Sequence, residues 1–515
     1  MKLREQISES FLKHGPHPAL SLAQGELTYE QLWQAASRVA DELIQGLPPG
    51  PIGLLGGREP AMYVGVLAAV LSGRAYVPLN VKFPPGRLAE MLTVAGCACI
   101  LHDPAHADLL EKILQEAGPA TSEKSEGQAI LPGAAIAMAR FTEDRSHEAA
   151  GHENEAFAYI LFTSGSTGRP KGIGISADNL CAYLAHATAA YGLQPGDRAS
   201  QMFELTFDLS VHDLFVTWLG GGCLCVPAGM DLMAPARFIL HQRLTHWFSV
   251  PSTISLLSKL RLLRENAFPG LRQSLFCGEA LPTALAQLWQ AAAPGSSVWN
   301  LYGPTEATIA ITAHQIGSAP PLPGSPASAV VPIGRTFPGH QTAVVADGQP
   351  VAAGETGELC LCGPQVSQGY LANPEKTGEA FVHLAAWPDG RTWYRTGDLV
   401  KEDASGQLHY IGRLDSQIQV HGHRVELGEV ETALRNATSG RAVAAIGWPR
   451  QGATVEGIIG FAEGPGTEED AKTLLASLGR ALPAYMVPSR ILFVPTMPLN
   501  SNGKTDRNAL ALLLQ

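Results

Sequence analysis

The chain is poor in charge. Asp, Glu, Lys and Arg make up 16% of its 515 residues, and acids outnumber bases by 47 to 36. A net charge of -11 argues against a nucleic-acid binder, whose affinity rests on Lys and Arg neutralising phosphates. There is no Cys-x-x-Cys knuckle, which removes the usual zinc frameworks. Six of the eight cysteines come instead as Cys-x-Cys, at Cys97/Cys99, Cys223/Cys225 and Cys360/Cys362. Alternate spacing points both side chains to one face of a strand, so buried reduced thiols are expected. No apolar run approaches a membrane span, and the opening "MKLREQISESFLKHG" has no apolar leader core. The expectation is a cytoplasmic protein with neither nucleic-acid nor membrane partners.

What is present is the composition of a globular protein, 45% hydrophobic, over a length that suggests two or more domains. "LTYEQLWQAASRVADELI" (Leu27 to Ile44) carries apolar residues at helical spacing, and "YVGVLAAVLSG" reads as a buried helix. "PIGLLGG" and "AYVPLN" read as short buried strands. Strands alternating with helices imply an α/β fold with parallel pairing. Residues 118–155 show no sustained period and are expected to be a surface connection, and 317–332 a Pro- and Gly-punctuated loop. Beyond Leu414 and Asp415 the pattern becomes that of a small α+β unit. The predicted organisation is mixed α/β and α+β, with a large N-terminal domain (1–413) of stacked sheets and helices and a small mobile C-terminal domain (414–515).

One stretch does not read as core. In "YILFTSGSTGRPKGIGIS" (Tyr159 to Ser176) an apolar run meets six residues of Thr, Ser and Gly, and Lys171 follows shortly after. Backbone N–H groups of a Gly-rich turn can converge on an anion, hydroxyls add donors, and a lysine adds charge. The spacing fits neither Gly-x-x-x-x-Gly-Lys-[Ser/Thr] nor Gly-x-Gly-x-x-Gly. On physics alone, a phosphate cradle and a plain flexible linker both remain.

"FTSGSTGRPKG" resembles the phosphate-binding signature of the adenylate-forming (ANL) superfamily: acyl-CoA synthetases, firefly luciferases and nonribosomal peptide synthetase adenylation domains. Further motifs of that family follow its order. "LTYEQL" and "LSGRAYVPLN" precede the loop. "FDLSVHD" (Phe207 to Asp213), "NLYGPTEAT" (Asn300 to Thr308), "GELCLCGPQVSQGYLANPEKT", "YRTGDLV" (Tyr394 to Val400), "GRLDSQIQVHGHRVELGEVE" and "PLNSNGKTDR" come after it. The similarity spans nearly the whole chain. It implies two steps: a carboxylate attacks the α-phosphate of ATP, releasing pyrophosphate, and a thiol then takes the acyl group from the adenylate. Joining two anions requires cations and oriented donors around the phosphates.

The resemblance assigns roles by position. Lys504 in "SNGKTDR" matches the catalytic lysine of the first step; without the motif it would read as a solvated tail lysine. ATP would be held by Thr163, Ser164, Gly165, Ser166, Thr167, Gly168 and Lys171, by Gly278 and Glu279, by Asn300, Leu301, Tyr302, Gly303, Pro304 and Thr305, and by Asp398, Tyr410 and Arg413. Tyr302 would stack on adenine, Thr305 bond the α-phosphate, and Asp398 accept from both ribose hydroxyls. Glu306 would bind Mg²⁺, a hard cation suited to carboxylate oxygen. Asp415 matches the hinge about which the small domain turns between the two steps. Gly422 lies in the loop past which a phosphopantetheine arm would run, since it lacks a side chain. Gln419 departs from the lysine that many relatives carry there.

Asp208 in "FDLS" matches the aspartate that pairs with a substrate ammonium in amino-acid-activating relatives; a helix N-cap is the other reading of the same residue. The rest of the pocket is expected from Leu209, His212, Ser249, Leu275, Cys277, Leu301, Ile309 and Ala310, with Lys504 reaching the carboxylate. That set is mostly apolar and implies a small to medium amino acid. "SLFCGEALP" resembles D-alanine–carrier protein ligases and "FDLSVHDLF" resembles stand-alone prolyl-type adenylation enzymes, so alanine-like and proline-like substrates both stay open. No carrier segment follows Lys504, so the expected thiol is the phosphopantetheine of a separate carrier protein, with coenzyme A second. An aryl- or acyl-CoA synthetase and a non-catalytic nucleotide-binding subunit are the alternatives.

Overall fold

The structure, a computed structural model, describes residues 3–117, 122–124, 127–131, 134–141, 157–165, 169–317, 330–388, 390–451, 454–499 and 505–514. Local signals in the chain set its first elements. Thr28 and Gln31 form a reciprocal capping box that starts the helix Tyr29–Gly46, whose apolar positions are buried at helical spacing. Pro60 opens and Gly73 closes the helix Pro60–Ser72, in which every residue from Ala61 to Leu71 is buried. Pro60–Ser72 packs against both Tyr29–Gly46 and the strand Ile52–Gly56.

Among the described residues, nine strands form one sheet in the order Arg335–Thr336, Thr312–Gln315, Ser297–Tyr302, Gln273–Phe276, His246–Ser249, Arg198–Ser200, Cys223–Cys225, Pro18–Leu22 and Gly25–Thr28. From Ser297–Tyr302 to Pro18–Leu22 every neighbouring pair is parallel. Parallel strands end on a common edge, so the residues that follow Ser249, Phe276 and Tyr302 are brought together there. A second sheet runs Lys171–Ser176, Phe157–Thr163, Tyr76–Asn80, Ile52–Gly56, Cys99–His102, Ala134–Phe141 and Ser122–Lys124. Its hairpin pairs Thr163 with Lys171, the residues that bracket the Gly- and Ser-rich stretch in sequence. A third, antiparallel sheet includes Thr356–Cys362, Trp393–Glu402 and Leu408–Arg413, and sets Asp398 opposite Arg413.

The remaining residues have their own interior. The hairpin Gln417–Val420/His423–Glu426 leads into the helix Leu427–Ala437, and a three-stranded sheet of Val443–Gly447, Ile458–Glu463 and Arg490–Val494 packs with the helix Glu468–Ala481. Two apolar clusters there draw only on residues from Ile418 onward. All eight cysteines are free, and all but Cys181 are buried.

Residues 118–155 differ from the expected plain connection. The strand Ala134–Phe141 extends the second sheet, and Ser122–Lys124 and Gln128–Leu131 pair with it. Its sequence "AAIAMARF" is too rich in alanine to show a clear alternation, so pairing with Cys99–His102 decides it. Among the described residues no helix is long and apolar enough to cross a membrane.

Candidate active site

A cleft lies between the common edge of the nine-stranded sheet, the end of the strand Phe157–Thr163 and the face of the C-terminal hairpin. It encloses about 170 Å³. Of the residues singled out by sequence, Thr163, Ser164, Asp208, Leu209, Cys277, Gly278, Glu279, Asn300, Leu301, Tyr302, Gly303, Pro304, Thr305, Asp398, Tyr410, Arg413 and Gly422 line it. They come from segments more than two hundred residues apart, and the parallel strand ends are what gather them.

At one end Asp398 accepts from Tyr302 Oη at 2.5 Å and pairs with Arg413 Nη1 at 2.6 Å, and Arg413 also pairs with Asp415 at 2.7 Å. Burial raises the Asp398 carboxyl even against these donors. Asn300 donates to the carbonyls of Val331 and Pro332, while its own side-chain oxygen is buried without a partner. Thr163 Oγ1, Gln419 Oε1 and Arg424 Nε on the same wall are also buried and unpartnered. Orphaned polar atoms in a cleft indicate a bound group that completes them.

In the middle stands Asp208. It is 8% exposed and makes no N-cap hydrogen bond, although it precedes the helix Leu209–Gly220. Burial pushes its carboxyl up to about 6, with a Thr305 hydrogen bond pulling the other way and Glu306 adding to the rise. Leu209, Cys277 and Leu301 share the wall here. His212, Ser249, Leu275, Ile309 and Ala310 are buried but do not line the cleft. His212 Nδ1 meets Tyr183 Oη at 2.6 Å, and Ser249 Oγ accepts from Trp247 Nε1 at 3.0 Å, so both polar members of the expected pocket are engaged. Burial takes the His212 imidazole down to about 3, which keeps it neutral.

The turn after Tyr302 is held rigidly. Thr308 and Ile309 adopt φ values of 56° and 74°, strained for β-branched residues. Gln365 from the third sheet's loop donates to the carbonyls of Ala307, Thr308 and Ala310, and accepts from Thr308 Oγ1 at its own carbonyl. This fixes Glu306, which is fully buried and off the cleft wall. Burial alone would raise its carboxyl, but Arg424, Lys171 and a 2.8 Å hydrogen bond from Tyr370 outweigh that and hold it low. Among the described residues no group of three His, Cys, Asp or Glu could hold a metal by itself. A single carboxylate still suits Mg²⁺ that takes its other ligands from phosphates and water.

The C-terminal domain supplies Gln417, Gln419, Gly422, His423, Arg424 and Tyr485 to the wall. His423 stacks on Tyr485 with ring centroids 3.8 Å apart and meets Phe207 edge-on at 4.6 Å. Burial lowers its imidazole to about 4. Sequence reasoning stopped at Gly422 and passed over His423, Arg424 and Tyr485. The signal was in the strand alternation of His423–Glu426, where Val425 is buried and Arg424 and Glu426 share the opposite face. Gly165, Lys171 and Asp415 lie off the wall, and Ser166, Thr167, Gly168 and Lys504 fall outside the described residues.

A cleft that runs from the Ser164 end of a hairpin strand to a buried Tyr–Asp–Arg group has the polar lining that a nucleotide-binding enzyme needs. The chain belongs to the AMP-binding enzyme family, whose model matches residues 7–371, while that of the AMP-binding enzyme C-terminal domain matches 429–504. A D-alanine--D-alanyl carrier protein ligase of Lacticaseibacillus rhamnosus is 33% identical over 97% of this chain and 96% of its own length. Novobiocin biosynthesis protein H of Streptomyces niveus is 34% identical over 98% of this chain and 82% of its own. The crystal structure of the Vibrio cholerae adenylation domain AlmE in complex with glycyl-adenosine-5'-phosphate is similar with a TM-score of 0.84. It is 32% identical to this chain, and the match covers 99% of this chain and 97% of that one.

Proposed function

We propose that the protein activates a small amino acid as its adenylate and passes it to the phosphopantetheine thiol of a separate carrier protein. The carrying observation is Asp208, a buried carboxylate in the middle of the cleft that forms no salt bridge among the described residues, the distant pull of Arg424 being too weak to offset its burial. An α-ammonium supplies the close cationic partner. In the first step a substrate carboxylate oxygen bonds to the α-phosphorus as the bond to the β-phosphate breaks, and pyrophosphate leaves. In the second a sulfur–carbon bond forms, the acyl–phosphate bond breaks, AMP leaves with its electron pair and the thiol loses its proton.

In this reading Tyr302, Asn300, Asp398, Tyr410 and Arg413 hold adenosine, and Asn300 Oδ1 has the free acceptor that an exocyclic amine needs. Thr163 to Gly168 with Lys171 hold the β- and γ-phosphates and Thr305 the α-phosphate, and Glu306 would hold Mg²⁺, which would supply positive charge against the phosphates. Lys504 bridges the substrate carboxylate and the phosphate ester. The domains divide at 413/414 with the hinge at Asp415, which is consistent with the separate apolar clusters beyond Ile418. Closure of the side-chain pocket by Leu209, Cys277 and Leu301 favours glycine or alanine over proline-like or aromatic substrates. The D-alanine ligase and the glycyl adenylate complex point the same way.

Pyrophosphate exchange into ATP, screened over glycine, both alanines, β-alanine, proline and benzoate, tests this. Exchange with glycine or an alanine at least tenfold above the rest is expected. Exchange with benzoate but no amino acid would make the enzyme an aryl-acid ligase.

Gly422 offers a second check. Its φ is +82°, and a Cβ there would lie 2.5 Å from Val250 Cγ1. Gly422→Ala is expected to slow thiol transfer several-fold through strain and a narrowed path, and to leave exchange within about twofold. Equal loss of both activities would place Gly422 outside the thiol path.

A further inference from the structure

A thiol of ordinary acidity is mostly protonated near neutral pH, and the thiolate is the nucleophile. Its proton must therefore leave as sulfur approaches the acyl carbon. Among the described residues, the carboxyl groups that line the cleft are those of Asp208, Glu279 and Asp398. Asp208 is set against the substrate ammonium in the proposed reaction, and Asp398 is engaged by Tyr302 and Arg413. Residues 278 and 279 are expected beside ATP, a contact that their backbone can make. That leaves the Glu279 carboxylate with no part in the first step.

Glu279 stands on the thiol side of the cleft. Gly278 turns the chain before it at φ +87°, pressed against Val250 and Leu209, which lie 3.5 and 3.6 Å from where a Cβ would stand. Glu279 is half-buried, and its Oε2 accepts from the Ser252 amide at 2.7 Å, at the start of the helix Pro251–Lys259. A helix N-terminus favours a carboxylate there. Val250, just before that helix, is also the residue that a Cβ on Gly422 would strike. Burial raises the Glu279 carboxyl. Ser252, the Gly422 amide and His421, exposed in the turn before it, pull the other way without offsetting that. The carboxylate is therefore a stronger base than a solvated one. His423 on the same wall, taken down to about 4 by burial, is the weaker base of the two.

We propose that Glu279 is the catalytic base of the thiol step, its carboxylate taking the proton of the incoming thiol beside Gly422. The inference rests on the proposed two-step reaction. The S–H bond breaks and its proton passes to Glu279. The sulfur–carbon bond forms, the bond from the acyl carbon to the phosphate oxygen breaks, and AMP leaves with that electron pair. The proton returns to water when the thioester departs. Anchoring at the helix start fixes the carboxylate in place, as a base in that path requires.

Two small thiols separate proton acceptance from positioning. N-acetylcysteamine, which copies the end of a pantetheine arm, is mostly protonated at pH 8. Trifluoroethanethiol, acidified by its fluorines, is mostly ionised there and needs no base. Transfer from a supplied aminoacyl adenylate to each is followed by rapid quench in a single turnover. Glu279→Gln, which keeps an oxygen for the Ser252 amide, should slow transfer to N-acetylcysteamine about 100-fold and transfer to trifluoroethanethiol less than about threefold. Transfer to N-acetylcysteamine should also fall at least about tenfold further than pyrophosphate exchange does. Glu279→Asp keeps a charge at the helix start but draws it back by one methylene. It should show the same preference for the acidic thiol, less steeply, and it decides the point if Glu279→Gln does not fold.

Equal slowing with both thiols would make Glu279 a cap of the helix alone and overturn the assignment, and so would transfer that neither variant alters. A parent that transfers to neither thiol would defeat the second step of the proposed reaction and this base with it. Exchange with no amino acid would instead defeat the proposed activation, a result on which transfer from the supplied adenylate does not depend.

Discussion

Asp208→Asn is expected to lower amino-acid-dependent pyrophosphate exchange about 100- to 1,000-fold while making the ligand-free protein more resistant to heat at neutral pH. The activity loss follows from removing the partner of a buried ammonium, which costs about 3–5 kcal/mol. The stability gain follows from the same burial. The Asp208 carboxyl is pushed up to about 6 from an ordinary value of 3.8. Between those values the folded protein binds more protons than the unfolded chain, so stability falls as pH rises through that window. Above it, the ionised carboxylate costs about 3 kcal/mol in the empty site, at roughly 1.4 kcal/mol per unit. Asparagine carries no such cost. Melting temperatures from pH 4 to 8 should therefore fall less with pH in the variant than in the parent, and amino acid binding by the parent should weaken below pH 6. A variant that keeps exchange within a few-fold would show that the ammonium is recognised elsewhere.

Lys504→Ala is expected to separate the two half-reactions. Exchange should fall about 100- to 1,000-fold, the usual cost of deleting one charge-stabilising donor. Transfer from a supplied aminoacyl adenylate to pantetheine should stay within a few-fold. The C-terminal residues on the cleft wall belong to the stretch 417–424 and to Tyr485, and none of the described residues from 490 to 514 reaches it. In the proposed reaction a lid that presents that hairpin would serve the thiol step, and the adenylation step would use a second orientation. Equal loss in both assays would remove the need for two orientations.

Many residues that line the cleft were legible because the family's motifs are short. In the proposed reading a cis-diol, a phosphate and an ammonium each need a particular residue type, and Asp398, the Ser- and Gly-rich stretch and Asp208 keep those types within recognisable neighbours. The helices Tyr29–Gly46 and Pro60–Ser72 were legible for a similar reason, since caps and apolar spacing act over a few residues. The strand Ala134–Phe141 was not, because alanine-rich pairing is decided by the strand beside it. The expected polar pocket members His212 and Ser249 stand off the cleft wall. Nothing in the sequence near His212 or Ser249 shows that Tyr183 and Trp247 have already taken their hydrogen bonds.

The sequence by itself determined the family, the two-step chemistry it implies and the identity of most groups that would touch nucleotide, because residue type and short spacing carry that information. Only the tertiary structure decided which side chains face the cleft and which partner each buried charge has. Glu306 and Arg424 are 118 residues apart, and Glu429 accepts from the amide of Gly165, 264 residues away. Such pairings depend on the packing of whole domains and on the cost of leaving a buried charge alone, and neither is written in any local stretch of the chain.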